Sequence, residues 1–440
     1  MTTGSREIPE TQDDRHLIDV TTALADALVD TAILVGEQAT WLSADLKWSS
    51  QEYIPIERTG DPSLYDGSAG IAWACTAVAN ALGREDLARL ATQAINHATA
   101  FADRLDSIGL YDGLAGIGLA ALFIGDVMDE QKISTAGTRL LKQCAERDVE
   151  SSDLISGWSG LGLAFVRAAQ ITNDGYWRRA AEHAGEKLLT HAVRYPWGWS
   201  WPQAAGQPGL CGLAHGASGS AWILSEIAAL LETSRFDDAI AGAIQYERSW
   251  FDPTHNNWPD LRTDNTESAD EDGSKRIDSQ SQVVSFPSFW CHGGAGIGLT
   301  RLAIYRRRNT ASFAGEAAAA LQATHTSAMN NLMSYDLPHG VSLCHGLAGQ
   351  LDLLTEGYCT FGEAEHLHVS RGLATQALAL LGDEVTRWPG GIRGIPSPGL
   401  MNGLAGTLQV LTRLLYPDRV PSPGLLTVKP DCTTLLPKVI

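Results

Sequence analysis

Basic residues are scarce in this chain. Its 440 residues hold 32 lysines and arginines against 51 aspartates and glutamates, a formal net charge of −19. No basic stripe is present to neutralise phosphates, which argues against nucleic acid as a partner; acidity of this size mainly supports solubility. Apolar runs of membrane-spanning length are also missing, and residues 1–15 are polar, without the apolar core of a signal peptide. No integral membrane segment is therefore expected. Cysteine is rare, and its count of seven is odd. Scattered thiols of that kind suit a reducing cytoplasm better than a disulfide framework. Cys75, Cys144, Cys211, Cys359 and Cys432 have no histidine beside them and read as ordinary buried or surface thiols. Alternating Val/Ile/Thr-rich runs, the signal of half-buried strands, are few.

Glycine is what the chain has in plenty, and its placement is periodic. One heptapeptide occurs seven times, first as Leu64-Tyr65-Asp66-Gly67-Ser68-Ala69-Gly70 and last as Leu400-Met401-Asn402-Gly403-Leu404-Ala405-Gly406. Between them the first glycines are Gly113, Gly157, Gly216, Gly293 and Gly346, at intervals of 46, 44, 59, 77, 53 and 57 residues. Such a period marks stacked supersecondary units that each need a neighbour to bury an apolar face. Every motif runs into an apolar stretch such as Ile117 to Ile124, followed by Ala-rich segments with charge on one face, such as Arg179 to Leu189. Apolar residues recurring every three or four positions predict helices. The glycines then fit a crowded turn entering a helix. Helical hairpins of this kind form either an open solenoid or a closed ring, and a ring would bring all seven turns to one mouth. A single helical domain is expected over residues 60–420, with an N-terminal helical extension over 1–59 and a C-terminal tail over 421–440. Within the extension, residues 16–43 read as one or two helices, with Leu17, Val20, Leu24, Leu28, Ile33 and Leu34 apolar. Residues 260–284, acidic and in the longest interval, read as a solvated loop between the fourth and fifth repeats.

The residue just before each first glycine is Asp66, Asp112, Ser156, His215, His292, His345 and Asn402 in turn. Asp, Ser and Asn are favoured helix N-caps, so those four are expected to cap. Histidine is not, yet it replaces them in three consecutive repeats. In two of these a cysteine stands beside it, giving Cys291-His292 and Cys344-His345. Thiolate sulfur and imidazole nitrogen are preferred zinc ligands, and a site with three protein ligands keeps a position open for chemistry.

Taken together, the seven Gly-x-Ala/Ser-Gly turns with Ala214-His215-Gly216, Trp290-Cys291-His292-Gly293 and Leu343-Cys344-His345-Gly346 resemble the LanC family of lanthionine synthetase cyclases. The resemblance implies an all-α, α/α toroid of seven inner and seven outer helices. It implies zinc held by Cys291, Cys344 and His345. It also implies addition of cysteine thiols of a dehydrated precursor peptide to dehydroalanine or dehydrobutyrine, giving thioether rings. His215 corresponds to the family's acid/base histidine, suited to protonating an enolate. Asp153, four residues before Gly157, matches an acidic residue that would orient it. Two positions depart from the bacterial pattern, with Pro287 in place of an arginine and His292 in place of a tyrosine. Either His292 or Arg262 is then a candidate to stabilise the enolate. No dehydratase-like segment is seen before residue 60, so a separate dehydratase is the expected partner. Addition of glutathione to dehydroamino acids, as in the eukaryotic relatives, would use the same site residues; a non-catalytic, zinc-stabilised peptide-binding toroid is the other alternative.

Overall fold

The computed structural model describes residues 12–49, 52–203, 207–262, 284–335, 337, 340–391, 394–430 and 432. Among these residues the chain forms fourteen α-helices. The first, α1 (Gln12–Asp30), precedes the repeats. Each heptapeptide then enters an inner helix: α2 (Ser68–Leu82), α4 (Leu114–Val127), α6 (Trp158–Thr172), α8 (Ala217–Leu231), α10 (Gly294–Arg308), α12 (Leu347–Phe361) and α14 (Leu404–Leu415). Between them lie α3 (Glu85–Ala100), α5 (Gln131–Ala145), α7 (Gly175–His191), α9 (Asp237–Arg248), α11 (Ala311–Met333) and α13 (Ala364–Leu381). Sequence decides which layer each helix joins. In α4 every residue from Leu114 to Gly125 is buried, as befits a helix apolar all round. α5 buries only Ile133, Gly137, Leu140, Leu141 and Cys144, one stripe of an amphipathic helix.

The inner helices pack side by side, and α14 returns to α2, closing the ring. Backbone hydrogen bonds between successive motifs complete the closure. Tyr65 N donates to Tyr111 O (2.9 Å), Tyr111 N to Ile155 O (3.0 Å), Leu154 N to Ala214 O (2.8 Å) and Ala214 N to Cys291 O (3.2 Å). Trp290 N then donates to Cys344 O (3.1 Å), Cys344 N to Met401 O (2.8 Å) and Met401 N back to Tyr65 O (2.8 Å). This crown settles the choice between solenoid and ring in favour of a toroid. The last glycine of each motif makes the crown possible. At Gly116 an added Cβ would collide with the carbonyl of Leu110 and with Leu64 of the preceding repeat, and Gly296 stands in the same relation to Trp290 and Leu213.

The N-terminal stretch differs from expectation in part. α1 buries Leu17, Leu24 and Leu28 against α13 and α14, taking the outer position next to α14. Asp14 pairs with Arg371 (3.0 Å) and Asp26 with Arg84 (2.9 Å), tying it to α13 and to the start of α3. The helix stops at Asp30. Instead of a second one, β1 (Ile33–Val35) and β2 (Gln38–Thr40) form a hairpin turned at Gly36, whose φ is 58°. Ile33, Leu34 and Val35 are exposed, so their apolar character does not reflect a core-facing helix. A second hairpin pairs β3 (Leu42–Ser49) with β4 (Glu52–Thr59) beside the ring, and a third pairs β5 (Val193–Tyr195) with β6 (Gly198–Ser200).

The end of the described chain closes the far side of the toroid. Val420 to Leu426 are buried. Trp290 Nε1 donates to Gly424 O (2.9 Å), and Arg167 donates to the carbonyls of Leu425 and Leu426 (3.1 and 3.0 Å). Asp352 accepts from Ser422 Oγ (2.7 Å) and Gly424 N (3.0 Å), while Arg413 pairs with its other oxygen (2.6 Å). Two cysteines expected to be ordinary thiols, Cys359 of α12 and Cys432, are joined as a disulfide with Cα atoms 4.4 Å apart. They lie 73 residues apart in sequence, and only the return of the chain across the base brings them together. This pairing removes one ground for expecting a reducing compartment. Cys75, Cys144 and Cys211 are buried and outside any disulfide. The acidic stretch at 263–283 lies outside the described residues, as does residue 433 onward.

Candidate metal centre and active-site cavity

Helix N-termini leave backbone N–H groups without intrahelical partners. Here the first of those groups is satisfied by backbone in every repeat, and in α8 the next, Ser218 N, donates to Glu247 Oε1 (2.9 Å). The first N–H of each inner helix donates to a carbonyl of the loop that leads into it: Ser68 to Asp61, Leu114 to Ser107, Trp158 to Ser151, Ala217 to Leu210, Gly294 to Pro287, Leu347 to Gly340 and Leu404 to Ser397. The N-cap positions are the glycines themselves, Gly67 through Gly403, with no side-chain cap. Asp66, Asp112, Ser156 and Asn402 are therefore not the caps expected of them. The looping backbone does that work and releases the preceding side chain. Most of the released side chains gather at one cavity of about 480 Å³ on the mouth of the ring. Seven helix N-termini open on the same rim, and their dipoles favour negative charge there.

One of the released groups, His345, stands with Cys291 and Cys344 in a cluster that could hold a metal ion. One ligand atom each from Cys291, Cys344 and His345 lies within 4.8 Å of the other two. His345 Nε2 stands 3.9 Å from Cys344 Sγ. A tetrahedral zinc, with Zn–S near 2.3 Å and Zn–N near 2.0 Å, spaces its ligands by about 3.5–3.8 Å, so the donor set fits with little movement. The thiols influence each other strongly. A hydrogen bond from Cys344, joined by His345, holds Cys291 well below the ordinary thiol range, although burial opposes it. Burial and the neighbouring Cys291 hold Cys344 well above that range. A divalent cation would displace the second proton.

On another wall His215 Nδ1 lies 2.8 Å from Asp153 Oδ2. Burial would raise the Asp153 carboxyl, but the hydrogen bond and charge of His215, with the Ser156 N–H, bring it below its ordinary value. An ionised carboxylate only accepts, so Nδ1 carries the proton and Nε2 is left for the cavity. His292 stacks on His215 with ring centroids 5.8 Å apart. Burial lowers its pKa to about 4, and its buried Nε2 has no hydrogen-bond partner. Arg262 also lines the cavity, and Asp260 grips its guanidinium (2.7 Å from Nη2). At Pro287, where the family pattern has arginine, the carbonyl caps α10 instead.

The seven residues singled out from sequence thus come together: six line the cavity, and Asp153 stands behind His215. Sequence reading missed Tyr65 and took Asp66 and Asn402 for caps. Tyr65 Oη donates to Cys344 Sγ at 3.1 Å, and Asp66 accepts from Asn402. The available signal was motif position: Asp66 and Asn402 occupy that of His215, His292 and His345, and Tyr65 that of Cys291 and Cys344. Ser43, Ala44 and Arg58, from the hairpin of β3 and β4, also line the cavity, with no motif to announce them.

Among solved structures, nisin cyclase superposes with a TM-score of 0.63 at 18% identity, covering 83% of this chain and 92% of that one. A GH76 α-mannanase from Bacteroides thetaiotaomicron is more distant, with a TM-score of 0.45 at 13% identity over 69% of this chain and 84% of its own. No curated protein matches the chain significantly. A family model described as lanthionine synthetase C-like protein matches residues 58–427. With its closed α/α ring and its mouth-facing Cys, Cys and His, the chain belongs to the lanthionine synthetase C-like family.

Proposed function

We propose that this chain is a zinc-dependent cyclase that forms lanthionine or methyllanthionine thioethers in a dehydrated precursor peptide. The observation that carries the reading is the Cys291–Cys344–His345 cluster sharing one cavity with a histidine oriented by a carboxylate. Zinc held by those three residues would keep a fourth ligand, the peptide's thiol, deprotonated at neutral pH. The remaining steps belong to the chain's own side chains. His215 Nε2 first takes the proton the thiol gives up; sulfur then adds to the β-carbon of dehydroalanine or dehydrobutyrine, the C=C electrons move onto the adjoining carbonyl, and Nε2 returns that proton to the α-carbon. One S–H and one C=C are replaced by one C–S and one C–H, with no oxidant or leaving group. Asp153 holds the proton on Nδ1 and stabilises the positive imidazole. Arg262 and His292 Nε2 would meet the developing oxyanion, a reading supported by their both lining the cavity, and a task Pro287 cannot perform.

The dehydrated peptide would come from a separate dehydratase, and the reaction would run in the cytoplasm, where Cys291 and Cys344 would stay reduced although the buried Cys359 and Cys432 are joined. The test pairs elemental analysis of the purified chain with incubation of a dehydrated peptide, followed by thiol alkylation and mass spectrometry. We expect about one zinc per chain and a loss of alkylatable thiols at unchanged mass. Zinc-loaded protein that leaves every thiol open to alkylation would overturn the cyclase reading; a glutathione adduct on the same peptide would redirect it to intermolecular addition.

A further inference from the structure

The first repeat carries side chains that the proposed reaction does not use, and they point at the ligands of the sixth. Tyr65 Oη lies 3.1 Å from Cys344 Sγ. A metal-bound thiolate can only accept, so the hydroxyl donates. Next to it, Asp66 Oδ1 accepts from Asn402 N (3.0 Å) and Oδ2 from Asn402 Nδ2 (2.9 Å). With its nitrogen committed to Asp66, the Asn402 amide turns its oxygen to His345, with which it makes a side-chain hydrogen bond. The crown explains the reach. Cys344 is bonded to Met401 and Met401 to Tyr65, so the sixth, seventh and first repeats are consecutive stations on the closed ring. The second repeat has the same Tyr-Asp pair without this aim: Tyr111 Oη is buried with no partner, and Asp112 accepts from Ser107 Oγ (3.0 Å).

We propose that Tyr65 and Asp66 are positioning residues for the metal centre, Tyr65 acting on the Cys344 sulfur and Asp66 on the His345 ring through Asn402. The inference rests on the metal-site reading above. A hydrogen bond to a coordinating thiolate weakens its electron donation. A fixed acceptor on the ring opposite the ligand nitrogen sets the histidine's tautomer and orientation. The first repeat would thereby tune how nucleophilic a thiol in the open position remains.

Cobalt(II) in place of zinc reads this directly, because the sulfur-to-cobalt charge-transfer band reports thiolate donation. The full chain, Tyr65→Phe, Asp66→Ala and Asp112→Ala would each be titrated with cobalt, and zinc affinity measured by chelator competition. Tyr65→Phe should bind one cobalt with its charge-transfer band moved to lower energy. Asp66→Ala should lose about 10- to 100-fold in zinc affinity, and Asp112→Ala should match the wild type in both. If Asp66→Ala does not fold, the nearly isosteric Tyr65→Phe carries the test alone. A wild-type spectrum for Tyr65→Phe with wild-type affinity for Asp66→Ala overturns the inference and leaves the metal site standing. A wild-type chain with no cobalt–thiolate band overturns both.

Discussion

Two arcs of the ring share one backbone and differ in two side chains per station. In the first three repeats the residues before the first glycine are Tyr65-Asp66, Tyr111-Asp112 and Ile155-Ser156; in the next three they are Ala214-His215, Cys291-His292 and Cys344-His345. Both arcs close through the same crown and cap their inner helices with the same loop carbonyls. Since neither task needs a side chain, these positions are free to vary without cost to the scaffold. On the proposed function one arc would hold the ligands and the acid, and the other would support them from neighbouring stations of the ring. Asp153 reaches His215, Tyr65 reaches Cys344, and Asp66 reaches His345 by way of Asn402. Position on the fold is shared, and chemistry is assigned station by station.

Substitution at equivalent stations should break this equivalence most sharply at the cysteines. Cys291→Ala and Cys344→Ala should each lose the metal and all thioether formation while keeping helix content, as elemental analysis, peptide alkylation and circular dichroism would show. Next in size is His215→Ala, which should keep its metal and lose about 10²- to 10⁴-fold in cyclisation rate, the usual worth of a positioned acid. If His215→Ala instead lost the metal, the division between ligand and acid stations would be wrong.

At the glycines the arcs should behave alike. Gly116→Ala and Gly296→Ala each drive a Cβ onto a carbonyl and a neighbouring repeat's side chain. Overpacking of this kind costs about 1–3 kcal/mol, sometimes more. Denaturant melts of the two variants should show similar losses, although one lies in the supporting arc and the other in the chemical arc. A loss confined to one would mean that the crown is not uniform.

These glycines were also what made the fold legible. A repeated close approach leaves an invariant mark in sequence, so seven turns and seven apolar helices could be read before any coordinates. Cys291, Cys344, His345 and His215 were legible because histidine and cysteine displaced ordinary turn residues at a fixed motif position. Asp66 and Asn402 were misread for the opposite reason: they look like caps, and only the loop carbonyls show that no cap is needed. Features fixed by distant chain segments left no local trace. The Cys359–Cys432 bridge, the C-terminal segment under Trp290 and the hairpin lining the mouth all depend on where the chain returns in space.

The smallest effect probes the contact that joins the arcs at the acid. Asp153→Asn preserves shape and removes charge. An amide can donate to Nδ1 where the carboxylate could only accept, leaving the ring neutral with its proton on Nε2 and a poorer acid for the enolate. Cyclisation should slow by about tenfold, near 1.4 kcal/mol, with metal content unchanged. The pH dependence fixes the sign. Asp153 sits below its ordinary value in the folded chain, so its contribution to stability is present above the unfolded value near 3.9 and is lost as pH falls through the folded one. Wild type should therefore be more stable than Asp153→Asn at neutral pH, and the gap should close as the pH drops below about 4. Were the gap instead constant with pH, the carboxylate would be acting by shape alone, and the supporting arc would reach His215 without charge.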